Sequence, residues 1–208
     1  RQWVTANGRR TLDDAPRVLI REAAAIRDLA ISPDGGRLAV VAQAQARPGL
    51  ERFELFALTA QHRMDDLAAL CERWKPRFAA VGTAEQAAAL HLRLSHAGVQ
   101  TEVLHGARAL EDLAAHADVD SVMAAIVGAA GLASCLAAAR AGKRLMLANK
   151  EALVVGGALF MRAVREGGAT LLPIDSEHSA VFQCLPADRS AWARHIDHIL
   201  LTSSGGPF

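Results

Sequence analysis

From about residue 53 to residue 174 the sequence alternates short apolar runs with stretches of helical periodicity, and only a few residues separate one from the next. Residues 53–60, 77–81, 99–104, 121–127, 144–147 and 169–174 read as strands. Between the first two, Met64, Leu67, Cys71 and Trp74 recur at helical spacing in a segment that must end before Pro76. Thr83 with Gln86 three residues on forms a capping box, opening a helix that runs to Gly98. Further helices are expected over 107–116, 132–141 and 150–165, with a short helix at 179–185 and a strand at 196–202 opening a next domain. Strict β–α alternation with short connections leaves little choice of architecture. It predicts an α/β fold built on a doubly wound parallel sheet.

Composition is compatible with this and excludes little else. The chain has 208 residues, 51% apolar and 22% charged, enough for a substantial core. Aromatics are scarce and alanine is abundant, so helices are expected to pack closely on the sheet. A net charge of +1 gives no reason to expect nucleic acid or membrane as a partner. No apolar run approaches the roughly 20 residues of a membrane span, and no signal peptide opens the chain. Cys71, Cys135 and Cys184 are odd in number and lie inside apolar patterns, so they read as reduced core thiols of a cytoplasmic protein.

In an open α/β sheet, ligands bind where strands end and helices begin. Two such junctions stand out. Asn149, Lys150 and Glu151 fall at a helix start, where backbone donors and the positive dipole end favour anions. Asp175, Ser176 and Glu177 follow the last strand and offer hard oxygen ligands suited to Mg²⁺ or Mn²⁺. A polar helix end and an exposed acidic turn are the plainer readings of these two stretches. Gln61, His62 and Arg63 follow the first regular strand, where a dinucleotide's adenosine ribose would lie and basic residues favour a 2′-phosphate; a solvated turn is the alternative. Gly128 to Gly131 either admits a ligand close to the backbone or lets a helix pack on the sheet. Ser203, Ser204, Gly205 and Gly206 read as a backbone nest for phosphate or as a hinge.

The segments LANKEALVVGGALF (147–160), LLPIDSEHSAVFQCLP (171–186), VMAAIVGAAG (122–131) and LLTSSGGPF (200–208) resemble 1-deoxy-D-xylulose 5-phosphate reductoisomerases, collinearly from about residue 52 to the last residue. The resemblance implies a Rossmann-like NADPH-binding domain over 47–170 and the beginning of an α+β catalytic and connecting domain over 171–208. It implies NADPH and a divalent metal, Mn²⁺ or Mg²⁺ with Co²⁺ also admitted, acting on a phosphosugar. Its product would be 2-C-methyl-D-erythritol 4-phosphate, in non-mevalonate isoprenoid biosynthesis. By the same resemblance Asp175 and Glu177 are metal ligands, while Lys150, Ser176, Glu177 and Ser204 contact substrate, with Lys150 and Glu177 catalytic. Asn149 and Glu151 are cofactor contacts, joined at the 2′-phosphate edge by Gln61, His62 and Arg63, and His178 orients its neighbours. Gln61 and Arg63 depart from the small residue and the Asn usual in the family. A homodimer formed through the connecting domain is the implied assembly.

Residues 1–46 do not share the resemblance. Residues 29–32 and 37–42 flank Pro33, Asp34, Gly35 and Gly36 and read as a hairpin, similar to one repeat of a propeller blade. The family's Gly-x-Thr-Gly-Ser-Ile-Gly loop, which would cradle the NADPH pyrophosphate, has no counterpart before residue 53. The expected sheet therefore lacks its first βα unit. Both ends look cut, and the expectation is a family member by descent whose chain alone has little or no activity. A non-catalytic nucleotide-binding scaffold, a propeller fusion and a generic NADP dehydrogenase are the competing readings.

Overall fold

The computed structural model describes residues 3–5, 8–10, 36–47 and 50–200, with side chains described from residue 55 onward. A small antiparallel pair, β1 (Trp3–Thr5) and β2 (Gly8–Arg10), stands as its own sheet. The main sheet has seven strands: β3 (Gly36–Arg47), β4 (Leu50–Thr59), β5 (Phe78–Val81), β6 (Glu102–His105), β7 (Ser121–Ile126), β8 (Arg144–Leu147) and β9 (Thr170–Pro173). Five helices connect or follow them: α1 (Met64–Trp74), α2 (Ala84–His96), α3 (Ala107–Ala115), α4 (Leu132–Arg140) and α5 (Lys150–Gly167). Beyond the sheet come α6 (Ser176–Cys184) and the single turn α7 (Trp192–His195).

Strand order is β6-β5-β4-β3-β7-β8-β9, so the chain winds outward from the centre in both directions. Every pairing in the sheet is parallel except those of β3, which runs antiparallel to β4 and to β7. The doubly wound α/β sheet is thus present with one strand reversed. That strand holds the central place, between β4 and β7, where a first parallel strand was expected to be missing. The sequence expectation of a strand at 37–42 holds, but its partners are β4 and β7; the other arm of the expected hairpin, 29–35, lies outside the described residues.

Alternation along the strands divides the core in two. Phe78 and Ala80 of β5, Val122 and Ala124 of β7, and Leu145 and Leu147 of β8 join one buried cluster with Leu113, Cys135, Ala138, Phe160 and Ala163. Their neighbours Ala79, Val81, Met123 and Met146 join the other cluster, with Leu67, Cys71, Leu90 and Leu94. Successive side chains of a strand point to opposite faces, so a strand covered on both sides must be apolar throughout. Helices α3, α4 and α5 cover the first face, and α1 and α2 cover the second. Alanine at 138, 139 and 163, none more than 5% exposed, brings α4 and α5 close together. At Gly167 the approach is closest, since a Cβ there would stand 2.1 Å from the Ala139 carbonyl oxygen.

Three expectations need correction. Cys71 and Cys135 are buried, but Cys184 is exposed, because α6 packs on the second core cluster only through the partly buried Phe182. No strand forms over 196–200, where the chain has no pairing partner among the described residues. Helix α6 also begins earlier than its apolar pattern suggested, at Ser176 in place of 179, because Asp175 caps it.

Candidate active site

The six mutually parallel strands end on one edge of the sheet, and the candidate residues collect there. On one side of β3 the ends of β7, β8 and β9 lie side by side: Leu147 pairs with both Ala124 and Pro173. Ala148 and Asn149 donate their backbone N–H groups to the Ala124 carbonyl, at 3.0 and 3.1 Å, and Ile174 donates to the Leu147 carbonyl at 3.1 Å. These bonds hold the Gly128–Gly131 3₁₀ turn, the start of α5 and the start of α6 in adjacent positions. Gly128, at φ 74°, makes the turn possible in a conformation L side chains avoid.

Asn149 caps α5, its Oδ1 accepting from the Ala152 N–H at 3.1 Å. Lys150 and Glu151 follow in the first turn, both exposed, with Glu151 placed favourably for the helix dipole. One strand over, Asp175 caps α6. Its Oδ1 accepts from the His178 N–H at 2.9 Å, and its Oδ2 lies 2.6 Å from the His178 Nδ1. Partial burial pushes the Asp175 carboxyl up, but the side-chain and backbone hydrogen bonds of His178, with the charges of His178 and Lys150, outweigh it and hold the carboxyl below its ordinary value. The structure thereby brings Lys150 and Asp175 within electrostatic reach of each other. Ser176 and Glu177 are exposed in the first turn of α6, on the same edge.

On the other side of β3, Gln61, His62 and Arg63 follow β4 and are exposed. Arg63 pairs with Asp66 in the first turn of α1. The loop is tied to its neighbour by Gln86, which the sequence marks only as part of a capping box. Its Oε1 accepts from Gly82 and Thr83 at 3.0 and 3.1 Å, and its Nε2 donates to the Gln61 carbonyl at 2.9 Å. From β4 to β8 is three strand spacings, about 14 Å, so this loop and Lys150 sit at opposite ends of an elongated edge. Ser204 lies outside the described residues.

The sequence matches the model of the 1-deoxy-D-xylulose 5-phosphate reductoisomerase family over residues 37–157, and that of the same family's C-terminal domain over 171–208. This chain belongs to the 1-deoxy-D-xylulose 5-phosphate reductoisomerase family. It is 61% identical over 158 residues to the reductoisomerase of Cupriavidus necator, covering 76% of this chain and 40% of that one. The Pseudomonas putida enzyme is 58% identical over 160 residues, with the same coverage. The chain thus spans about 40% of the length of the curated relatives it matches. Among solved structures, a DOX-P reductoisomerase in complex with NADPH, fosmidomycin and magnesium superposes with a TM-score of 0.64 at 45% identity, covering 68% of this chain and 35% of that one. The Zymomonas mobilis reductoisomerase in complex with NADPH gives 0.61 at 45% identity, covering 65% and 35%.

Within this reductoisomerase fold the donor set at the β9 end suits a hard divalent cation: two carboxylates, Asp175 and Glu177, and no thiol or imidazole cluster. No group of three or more metal-ligating side chains gathers among the described residues. The flanks of the edge suit a dinucleotide. Its middle differs, because the amino end of β3, Gly36 beside Ile126, stands where a strand-to-helix turn would present backbone N–H groups to a pyrophosphate. No helix among the described residues is long and apolar enough to cross a membrane.

Proposed function

We propose that this protein serves the reductoisomerase reaction, the metal-dependent rearrangement of 1-deoxy-D-xylulose 5-phosphate and its NADPH-dependent reduction to 2-C-methyl-D-erythritol 4-phosphate. The observation that carries the reading is the placement of Lys150 and Asp175 just beyond adjacent strand ends, where Ile174 donates to the Leu147 carbonyl, inside segments that match the family. A cation and an anionic ligand pair side by side are what a phosphorylated, oxygen-chelating substrate requires.

In this reading Asp175 and Glu177 would hold Mg²⁺ or Mn²⁺, and the two contacts of His178 fix the Asp175 carboxylate in place. The metal supplies Lewis-acid polarisation of the substrate's carbonyl and hydroxyl oxygens. Lys150 lies at the amino end of α5, where the helix dipole adds to its own charge, and stabilises negative charge developing on the substrate. Ser176 and Ser204 hydrogen-bond the substrate. Gln61, His62 and Arg63 receive the 2′-phosphate end of NADPH, the Gly128–Gly131 turn lines its nicotinamide end, and Glu151 is a further cofactor contact. The centre of the edge offers no strand-to-helix turn for the pyrophosphate among the described residues. We assign the reaction to the cytoplasm and the working assembly to a homodimer, which sedimentation would test.

Fosmidomycin, present in a neighbouring structure with magnesium, is the probe. We expect it to bind this chain in a Mn²⁺-dependent manner, and Lys150→Ala and Asp175→Asn each to abolish that binding. Metal-independent binding, or binding untouched by both substitutions, would remove the basis for the proposal.

A further inference from the structure

Gly131 has an ordinary backbone, φ −80° and ψ −9°, so conformational freedom does not explain a glycine there. Space does. A Cβ on Gly131 would stand 2.7 Å from the Asn149 Nδ2 and 2.7 Å from the Ile126 carbonyl oxygen. The room left by the missing side chain is occupied by the Asn149 amide, which is 2% exposed. Its Nδ2 donates to the carbonyls of both Ile126 and Gly128, and its Oδ1 accepts from Ala152. Both donors and one acceptor are therefore spent inside the protein. For the Asn149 amide to donate to a ligand, one of the two Nδ2 bonds would have to break in a buried place, where an unsatisfied carbonyl is costly.

We propose that Asn149 is a positioning residue, a three-point clamp that locks the Gly128–Gly131 turn onto the first turn of α5 and so fixes where Lys150 and the glycine turn face the reacting groups. The clamp adds a side-chain link between two neighbouring strand ends that backbone bonds to the Ala124 carbonyl already hold together. Ile126 ends β7, Gly128 opens the turn that follows, and Ala152 lies in the first turn of the helix after β8. The two glycines of the turn divide the work: Gly128 supplies the positive φ, and Gly131 makes room for the amide. The functional half of this proposal rests on the reductoisomerase reading; the clamp itself does not.

The test uses this chain. In the unliganded protein we expect the Asn149 side-chain amide protons to exchange slowly in ¹⁵N spectra. Asn149→Asp keeps a capping oxygen for Ala152 but sets an oxygen against two carbonyls. Asn149→Ser keeps a capping hydroxyl and removes both donors, and serves if the aspartate variant fails to fold. Either variant, and Gly131→Ala, should speed exchange of the 128–132 amides by about tenfold or more, while amides in the second half of α5 hold their protection. The Asn149–Gly131 double variant should lose less than the sum of the singles, as groups sharing one contact do. In the same samples, Mn²⁺-dependent fosmidomycin binding should weaken by about tenfold, the scale of losing a group that orients a ligand-bearing residue. A freely exchanging Asn149 amide, additive effects, or a loosened turn with unchanged binding would each overturn the assignment. If the parent chain itself does not bind fosmidomycin, the reductoisomerase reading fails with the functional half, and the exchange data alone decide the clamp.

Discussion

Asp175 does two jobs that a single pair of substitutions separates. It caps α6 through its Oδ1, 2.9 Å from the His178 N–H, and it presents negative charge at the sheet edge beside Lys150. Asparagine caps helices about as well as aspartate, whereas alanine at a cap costs about 1 kcal/mol. Asp175→Asn should therefore change stability by only a few tenths of a kcal/mol, and Asp175→Ala by about 1 kcal/mol, both read from urea midpoints. Metal binding should rank differently. Either change leaves Glu177 as the one carboxylate of the pair, and Mn²⁺ affinity should fall by at least about tenfold in both, measured by electron paramagnetic resonance titration. His178→Ala, which removes the group holding Oδ2 at 2.6 Å and leaves both carboxylates in place, should give a smaller loss. If Asp175→Asn binds Mn²⁺ as the parent does, Asp175 is a cap and nothing more. If it destabilises as much as alanine, the cap geometry is wrong.

Other outcomes follow from the same structure. Burial pushes the thiols of Cys71 and Cys135 up to about 12, and Cys184 is exposed, so a thiol reagent at pH 8 should modify Cys184 alone until the protein is unfolded; early reaction of a second cysteine would contradict the packing of α1 or α4. Gln86→Ala removes the acceptor for Gly82 and Thr83 and the donor to Gln61, and should cost about 1 kcal/mol while shifting the amide resonances of Gln61, His62 and Arg63. Gly167→Ala forces a Cβ to 2.1 Å from the Ala139 carbonyl oxygen, and at least about 1–3 kcal/mol of lost stability is expected from overpacking of backbone that cannot yield. Because the folded Asp175 carboxyl titrates below its ordinary 3.8, its contribution is present above that value and is lost as pH falls through the lower, folded one; urea midpoints of Asp175→Asn should accordingly fall less steeply below about pH 4 than those of the parent.

Much of the sheet could be read from periodicity because inner strands such as β5, β7 and β8 are buried on both faces. A run such as 78–81, buried at every position, has few alternatives when a capped helix follows two residues later. The Thr83–Gln86 box was legible for the same local reason, since both partners lie within one turn. Legibility failed where the deciding contact was distant in sequence. The reach of Gln86 to Gln61 spans 25 residues, and nothing in either stretch announces it. Asn149 read as a ligand-facing polar residue, because an asparagine at a helix start looks the same whether its amide turns outward or inward. Its direction is settled by Gly131, 18 positions earlier, and by the carbonyls of Ile126 at the end of β7 and Gly128 in the turn that follows. Cys184 lay in an apolar pattern, yet α6 touches the second core cluster only through Phe182 and leaves Cys184 exposed.

The reversed strand is the most instructive case, since its presence was foreseeable and its direction was not. Residues 37–42 carry strand-forming side chains, but propensity says nothing of which way a strand runs once docked. The two halves of the sheet, β4-β5-β6 and β7-β8-β9, each present an inner edge of unpaired N–H and C=O groups, and buried backbone groups must be bonded. A parallel first strand would satisfy both edges. So does β3: Gly36–Val41 pairs with Ser121–Ile126 on one side, and Ala39 and Val40 pair with Leu58 and Ala57 on the other. Antiparallel pairing is slightly the more stable per residue, and a short hairpin to β4 closes it with little loop entropy. The sheet therefore asks for a strand in that slot without specifying its polarity. Polarity matters only to the ligand edge, where a strand's carboxyl end with a following helix binds phosphate and a strand's amino end does not. Fold and cofactor site are thus separable in this chain: the centre of the sheet is complete as structure, and dinucleotide affinity should be weak for the same reason.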